Sequence, residues 1–369
     1  MALPDRLNPT LKHLPVYQPG RPLEEVAREI GAPVESIIKL ASNENPLGPS
    51  PLAIKAMTAA SAAMHRYPDG NAFYLRQRLA RHLSVQTTNL IFGNGSNEIL
   101  EFVARALLGP GDEVVMSQYC FAIYPIVTLM MGAKVVAVPA KDFGHDLPAM
   151  LRAVTPKTKI VFVANPNNPT GTLAPAQDVL QLLRGLPEDV LLVMDEAYIE
   201  FLDAPLDLLP EIREGRRHNL LLMRTFSKIY GLAGLRVGYG VGHTALVSAM
   251  EVLRQPFNLN AMAQAAAMAA LEDTPHVLST REQNRTGLAF LVATLEQHGL
   301  EHVPSHANFI LAKVGDGQRV FEAMQRLGII VRPMGSYALP EWIRISVGSD
   351  AENRRCIAAL RQALGLRED

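Results

Sequence analysis

Five short apolar runs constrain this chain more than any other feature. They are Glu113-Val114-Val115-Met116, Lys134-Val135-Val136-Ala137-Val138, Thr158-Lys159-Ile160-Val161-Phe162-Val163-Ala164, Val190-Leu191-Leu192-Val193-Met194 and Leu220-Leu221-Leu222-Met223. Each is apolar without strict alternation, which fits strands buried on both faces of a mostly parallel sheet. Helical patterns separate them, so the fold class is α/β, with ligands expected outside the carboxyl ends of the strands. Before them, Leu90-Ile91-Phe92 predicts another strand, followed by Gly93-Asn94-Gly95-Ser96-Asn97-Glu98. Ile99, Leu100, Phe102, Val103, Ala106 and Leu107 then recur at helical spacing until Gly109-Pro110-Gly111. That turn predicts Ser96 or Asn97 as the N-cap, with the first helical amides aimed at an anion such as a phosphate. Many strand-to-helix turns share this pattern and bind nothing, so it carries weight only in company.

The company stands at the strand ends. The third run enters Asn165-Pro166-Asn167-Asn168-Pro169-Thr170-Gly171, and the fourth enters Asp195-Glu196-Ala197-Tyr198. The fifth enters Thr225-Phe226-Ser227-Lys228-Ile229-Tyr230-Gly231, which continues to Arg236-Val237-Gly238. Each has an ordinary reading: an Asn-Pro turn, an acidic helix start, a surface lysine. Together they put an amide, an acid, a phenol and an amine on one sheet edge. Those types fit pyridoxal phosphate. Lys228 is the amine that would hold the aldehyde and move a substrate proton. Asp195 would pair with the pyridine nitrogen, while Asn168 and Tyr198 would meet the ring hydroxyl. Ser227, Arg236 and the amides of Gly95, Ser96 and Asn97 would hold the phosphate. Phe121 is a candidate to stack on the ring, although a core aromatic is nearly as good a reading.

The rest of the chain frames this centre. Residues 1–45 are Pro-rich and read as an arm with one short helix near Leu23 to Ile30, joining the smaller domain. Residues 46–258 read as the large cofactor-binding domain, and 259–369 as a connecting helix and a small α+β domain. A long Ala-rich helix is expected from about Leu259 to Gly299, and the sheet pattern fades after Gly240. Short strands are expected at Asn308–Ala312, Ile329–Val331 and Trp342–Val347. Arg344 stands inside the last of these and Arg332 follows the second. A strand arginine is usually a solvated edge residue, but two close together could clamp an anion.

Composition excludes several classes. A net charge of -1 offers no basic field for nucleic acid. Ten scattered histidines and no paired-cysteine motif give no metal site. Two cysteines, Cys120 and Cys356, cannot build a disulfide framework and suit a reducing compartment. No apolar run reaches membrane-spanning length, and Met1-Ala2-Leu3-Pro4-Asp5-Arg6 has no signal-peptide pattern. A cytoplasmic location is expected.

At this level of detail the chain resembles a known family. Asn168-Pro169-Thr170-Gly171, Asp195-Glu196-Ala197-Tyr198 and Ser227-Lys228 with Arg236 are similar to the marks of fold-type I aminotransferases. Ser42-Asn43-Glu44-Asn45-Pro46-Leu47-Gly48-Pro49-Ser50-Pro51, Arg66-Tyr67-Pro68, Gly93 to Glu98 and Trp342-Ile343-Arg344-Ile345-Ser346-Val347-Gly348 resemble the histidinol-phosphate aminotransferases more closely. The resemblance runs from about Tyr17 to Asn353. It implies a homodimer with shared sites, in which Tyr67 reaches the partner's cofactor phosphate. It also implies that Tyr17 and Asn43 border the substrate and that Arg332 and Arg344 bind its anionic group. The implied reaction moves an amino group between L-glutamate and imidazole-acetol phosphate, with ping-pong kinetics through pyridoxamine phosphate. Alternatives are an aromatic amino acid aminotransferase and a lyase such as threonine-phosphate decarboxylase. Two departures stand out: Asn97 occupies a position where several members have Asp, and Gln118-Tyr119-Cys120-Phe121 lacks a proline that often opens this segment.

Overall fold

The computed structural model describes residues 20–366 together with Leu7, Thr10, Leu11 and Leu14. Along the chain its strands are β1 (Ile38–Lys39), β2 (Leu90–Asn94), β3 (Glu113–Ser117), β4 (Lys134–Val138), β5 (Thr158–Ala164), β6 (Leu191–Asp195) and β7 (Leu220–Thr225). They continue as β8 (Val237–Gly242), β9 (His302–Val303), β10 (Phe309–Lys313), β11 (Ile329–Ile330), β12 (Arg332–Pro333) and β13 (Trp342–Ser346). Among the described residues, seven strands form the principal sheet in the order β2-β8-β7-β6-β5-β3-β4. The β8 pairings are antiparallel and the others in this sheet are parallel.

The unbroken apolar character of these strands has a direct cause. Successive residues of one strand feed opposite layers of core. Val161, Val163, Leu192 and Met194 pack into one cluster, and Ile160, Phe162, Leu191 and Val193 into another on the opposite face. Both faces are therefore covered by helices, and polar side chains are admitted only at the strand ends.

Two expectations need correction, and one strand escapes the sequence reading. Strand β8 is the one missed, because alternating glycines (Gly238, Gly240, Gly242) conceal it. Gly238 lies opposite Gly93 of β2, and a Cβ there would stand 2.4 Å from the Ser96 amide nitrogen. The missing side chain lets the helix Ser96–Leu107 start directly against the sheet. That helix is capped by Gly95 at φ 77°, not by Ser96 or Asn97, and its cap has no side-chain bond. Finally, the single Ala-rich helix is two helices, Ala261–Ala270 and Thr274–Gln297. Asp273 caps the second by accepting from the His276 amide, and a proline occupies its first turn, which is a restart signature that the alanine pattern obscures.

A second, four-stranded sheet runs β12-β13-β10-β9. Its inward residues Ile310, Ala312, Ile343 and Ile345 pack with Cys356, Ile357 and Leu360 of the helix Asp350–Leu364. Strand β11 joins β1 instead, with Ile38 beside Ile329 and Lys39 beside Ile330 in parallel register. The expected short helix occurs as Leu23–Ile30.

Gly238→Ala is expected to destabilise the protein by roughly 1–3 kcal/mol, because backbone rather than a flexible tip would have to move. Gly234→Ala, with nothing within 4 Å of its added Cβ, should stay within about 0.5 kcal/mol. Urea midpoints of both variants check this, and equal shifts would contradict the close approach.

Candidate active site

One pocket opens at the carboxyl ends of β5, β6 and β7. Its walls include Asn43, Ser96, Asn97, Phe121, Asn168, Asp195, Tyr198, Ser227, Lys228, Arg236, Arg332 and Arg344. The parallel strands deliver Asp195, Thr225 and the residues just beyond them to one level. The arm and the smaller sheet supply the other side.

Asp195 ends β6 and is 7% exposed. Its Oδ2 accepts from the Tyr124 hydroxyl at 2.7 Å, and its Oδ1 accepts from the Ala197 amide at 3.2 Å. Burial raises its pKa, while the two hydrogen bonds and the nearby Lys228 act in the opposite direction. Lys228 donates to the Ser42 carbonyl at 3.1 Å, and its Nζ lies 5.7 Å from the centre of the Tyr198 ring. Desolvation, with help from Arg344 and Arg236, pulls this amine down to about 8, against the attraction of Glu44 and Asp195. Such an amine carries a sizeable neutral fraction near physiological pH, and the neutral form is the one that acts as nucleophile or proton acceptor.

Tyr198 is buried, and burial pushes its phenol up to about 12. Its oxygen accepts from Asn43 Nδ2 at 2.9 Å. Asn43 is itself fixed: it sits at φ 56°, its amide donates to Ser346 Oγ at 2.9 Å, and that hydroxyl donates back to Asn43 Oδ1 at 2.9 Å. Asn308 Nδ2 donates to the Asn43 carbonyl at 3.1 Å. The small sheet therefore holds the loop that touches Tyr198.

The elements expected from sequence to meet anions fall in two places. At one, the start of the helix Ser96–Leu107 faces the turn after β7. Arg236 Nη1 lies 3.5 Å from Ser227 Oγ, and a Cβ on Gly95 would come within 2.4 Å of Arg236 Nη2. Only a glycine leaves that guanidinium its place beside the helix amides. At the other, Arg332 of β12 is the cross-strand partner of Arg344 in β13. Arg344 donates to Asn168 Oδ1 at 2.6 Å and to the Ala41 carbonyl at 3.0 Å, and its guanidinium lies 5.1 Å from the centre of the Phe309 ring. Arg344 is 7% exposed, so it is not the solvated edge residue that strand arginines usually are.

Of the described residues singled out from sequence, Tyr67 lies apart. Tyr17 lies outside the described residues, although Gly20 reaches the pocket wall. Tyr67 is 83% exposed and stacks on Phe257 at 4.8 Å, away from this chain's own pocket. Sequence reasoning missed Tyr124, Thr225 and Tyr337. Thr225 donates to Ser227 Oγ at 3.0 Å and accepts from the Ser227 amide at 3.1 Å, fixing the turn before Lys228. Tyr337 lines the pocket beside Arg332. Tyr124 follows Phe121 by three residues, a helical spacing that gives the only sequence hint of its place.

The family model for aminotransferase class I and II matches residues 35–360. A histidinol-phosphate aminotransferase of Akkermansia muciniphila is 48% identical over 365 residues, which is 99% of this chain and 100% of the relative. Histidinol-phosphate aminotransferase 2 of Ralstonia nicotianae is 51% identical over 357 residues, covering 95% of each. The crystal structure of histidinol-phosphate aminotransferase from Sinorhizobium meliloti in complex with pyridoxal-5'-phosphate superposes with a TM-score of 0.88 at 32% identity, covering 98% of both chains. With the family match spanning most of its length and these relatives matching it almost end to end, the chain belongs to the class I and II aminotransferases, among the histidinol-phosphate aminotransferases.

Proposed function

We propose that this protein exchanges an amino group between L-glutamate and imidazole-acetol phosphate, yielding 2-oxoglutarate and histidinol phosphate in histidine biosynthesis. The chain is a pyridoxal-phosphate-dependent transaminase. The observation that carries the substrate reading is the near end-to-end likeness to histidinol-phosphate aminotransferases, at 47–51% identity in the three relatives first in rank.

The residues present fit pyridoxal phosphate. The buried Lys228 amine suits its aldehyde, and the buried Asp195 carboxylate suits a protonated ring nitrogen. The helix start at Ser96 and Asn97, with Ser227 and Arg236, suits its phosphate. The Gly95 position, where any Cβ would displace Arg236, supports that cradle. When bound, the cofactor supplies an electron sink for the substrate's α-carbon. Lys228 would take the proton from that carbon and return it. Asp195 would hold positive charge at the ring nitrogen. Tyr198, whose oxygen already accepts from Asn43, would keep its own proton to donate to the ring oxygen, and Asn168 would share that contact. Phe121 would cover one ring face.

Two substrates use the site in turn, one with an α-carboxylate and one with a phosphate ester. The paired Arg332 and Arg344 suit both, because planar guanidinium donors match either anion. Asn43 borders the same space, and Tyr17 is proposed as a further substrate contact. We also propose the division into an arm (1–45), a large domain (46–258) and a connecting region with a small domain (259–369). It is supported by the separate sheets and by β1 joining β11. We further propose a homodimer with shared sites. Exposed aromatic residues support it: Tyr67 (83%), Tyr74 (71%), Phe73 (53%) and Phe257 (44%) lie in two contacting ring pairs. No described helix is long and apolar enough to cross a membrane, and a cytoplasmic location is proposed with the reducing-compartment cysteines as its support.

Three outcomes are expected. Cofactor reloading onto the cofactor-free protein should accelerate as pH rises through about 8 and then level off, since the neutral Lys228 amine is the reactive form. Stopped-flow absorbance follows this, and a midpoint near 10.5, the ordinary lysine value, would contradict a desolvated amine. In the wild type, kcat/KM for histidinol phosphate should exceed that for phenylalanine and tyrosine, although all three present an anion to the paired arginines. Faster turnover of an aromatic amino acid would reassign the substrate while leaving the transaminase in place. Mixing an inactive Lys228→Ala chain with an inactive Tyr67 variant should restore activity in heterodimers, and no restoration despite proven subunit exchange would count against shared sites.

A further inference from the structure

We propose that the Tyr124 hydroxyl is a positioning group that sets the charge and direction of the Asp195 carboxylate, and through it the charge on the cofactor's ring nitrogen. The proposal rests on the reading that Asp195 faces that nitrogen.

A carboxylate can neutralise a protonated ring nitrogen only while it stays ionised. Asp195 is buried, and burial favours its neutral form. Among the described residues, Tyr124 is the one side chain that donates a hydrogen bond to it, at 2.7 Å. A donor to the charged form favours that form, so this bond opposes the effect of burial. Burial drives the Tyr124 phenol well above its ordinary value, so it keeps its proton and acts as a donor. The bond occupies one lone pair of Oδ2, and the Ala197 amide occupies one of Oδ1 at 3.2 Å, so each oxygen can still accept from the ring nitrogen. The carboxylate is thus clamped from two sides and cannot swing about its χ2 axis.

The ring behind that hydroxyl is itself fixed. Tyr124 is fully buried in the helix Ile123–Met130. It stacks on Phe162 of β5 at 4.6 Å and 12°, and meets Phe121 edge-on at 5.7 Å and 82°. Phe121 lines the pocket. One rigid aromatic group therefore carries both the wall over the ring and the donor to the acid. This places Tyr124 apart from the packing residues around it: its ring does what a phenylalanine would do, and its oxygen does something more.

Tyr124→Phe removes the oxygen and keeps the ring. Equilibrium dialysis of the cofactor-free protein should then show pyridoxal phosphate binding about ten- to a hundredfold more weakly, the loss for one hydrogen bond to a charged group. In the loaded protein, the pH midpoint of the visible absorbance change should move upward. The sign follows from charge: a less ionised Asp195 leaves less positive charge on the ring nitrogen, so the Lys228 nitrogen holds its proton to higher pH. Phe162→Leu, which loosens the stack and leaves the hydroxyl, should lower the urea midpoint without moving the spectroscopic one. An unmoved affinity and spectroscopic midpoint in Tyr124→Phe, or an equal spectroscopic shift in Phe162→Leu, would overturn the proposal. Asp195→Ala measured alongside separates the two levels. If it shifts both readouts while Tyr124→Phe shifts neither, the Asp195 reading stands and the Tyr124 role fails. If Asp195→Ala itself leaves both unchanged, the reading of Asp195 fails and the Tyr124 role falls with it.

Discussion

Asp195 ends strand β6 and Lys228 stands just beyond the adjacent strand β7, and burial works against the charge on each. The acid is pushed up and the amine is pulled down. Left alone, both would tend toward neutrality in a dry pocket. The surrounding structure gives them different partners. Asp195 receives two hydrogen bonds that favour its charge, whereas Lys228 meets two arginines, Arg344 and Arg236, that disfavour its own. The outcome is an acid held toward ionisation and an amine held near neutrality. That is the separation of roles that acid–base chemistry on one bound substrate requires. The parallel sheet is what makes it possible, because neighbouring parallel strands end side by side and at the same level.

The same sheet explains what could be read from sequence. Continuous runs such as Ile160–Ala164 and Leu191–Met194 announce burial on both faces, and the polar residues at their ends then have one place to go. Asp195, Asn168, Tyr198 and Lys228 all follow from that logic. Other features depend on close approach rather than on pattern. Strand β8 is concealed because its glycines serve a packed helix start rather than a hydrophobic face. The cap falls on Gly95 for the same reason: a side chain there would displace Arg236, and no propensity scale carries that information. Tyr124 is concealed differently. Its ring satisfies the periodicity of an ordinary core residue, and its hydroxyl finds meaning only through Asp195, 71 positions away in the chain. Arg332 and Arg344 could be suspected as a pair, but only the β12–β13 register places them opposite one another.

Arg344 shows how the two sheets share the site. Its guanidinium touches Asn168, at the end of the principal sheet, and the Ala41 carbonyl, in the loop that follows β1. Its own strand belongs to the small sheet, and so does Ser346, which fixes Asn43. Asn43 in turn reaches Tyr198. A single strand, β13, therefore positions Arg344 and, through Asn43, the Tyr198 phenol. Polar contacts of this kind are short-ranged, so a shift of the small sheet by about an ångström would disturb both at once. Correct placement of the small sheet is then a condition for holding Arg344 and orienting Tyr198 together. The largely buried β10–β13 pair, with five register partners from Phe309–Ser346 to Lys313–Trp342, provides the stiffness that this condition demands.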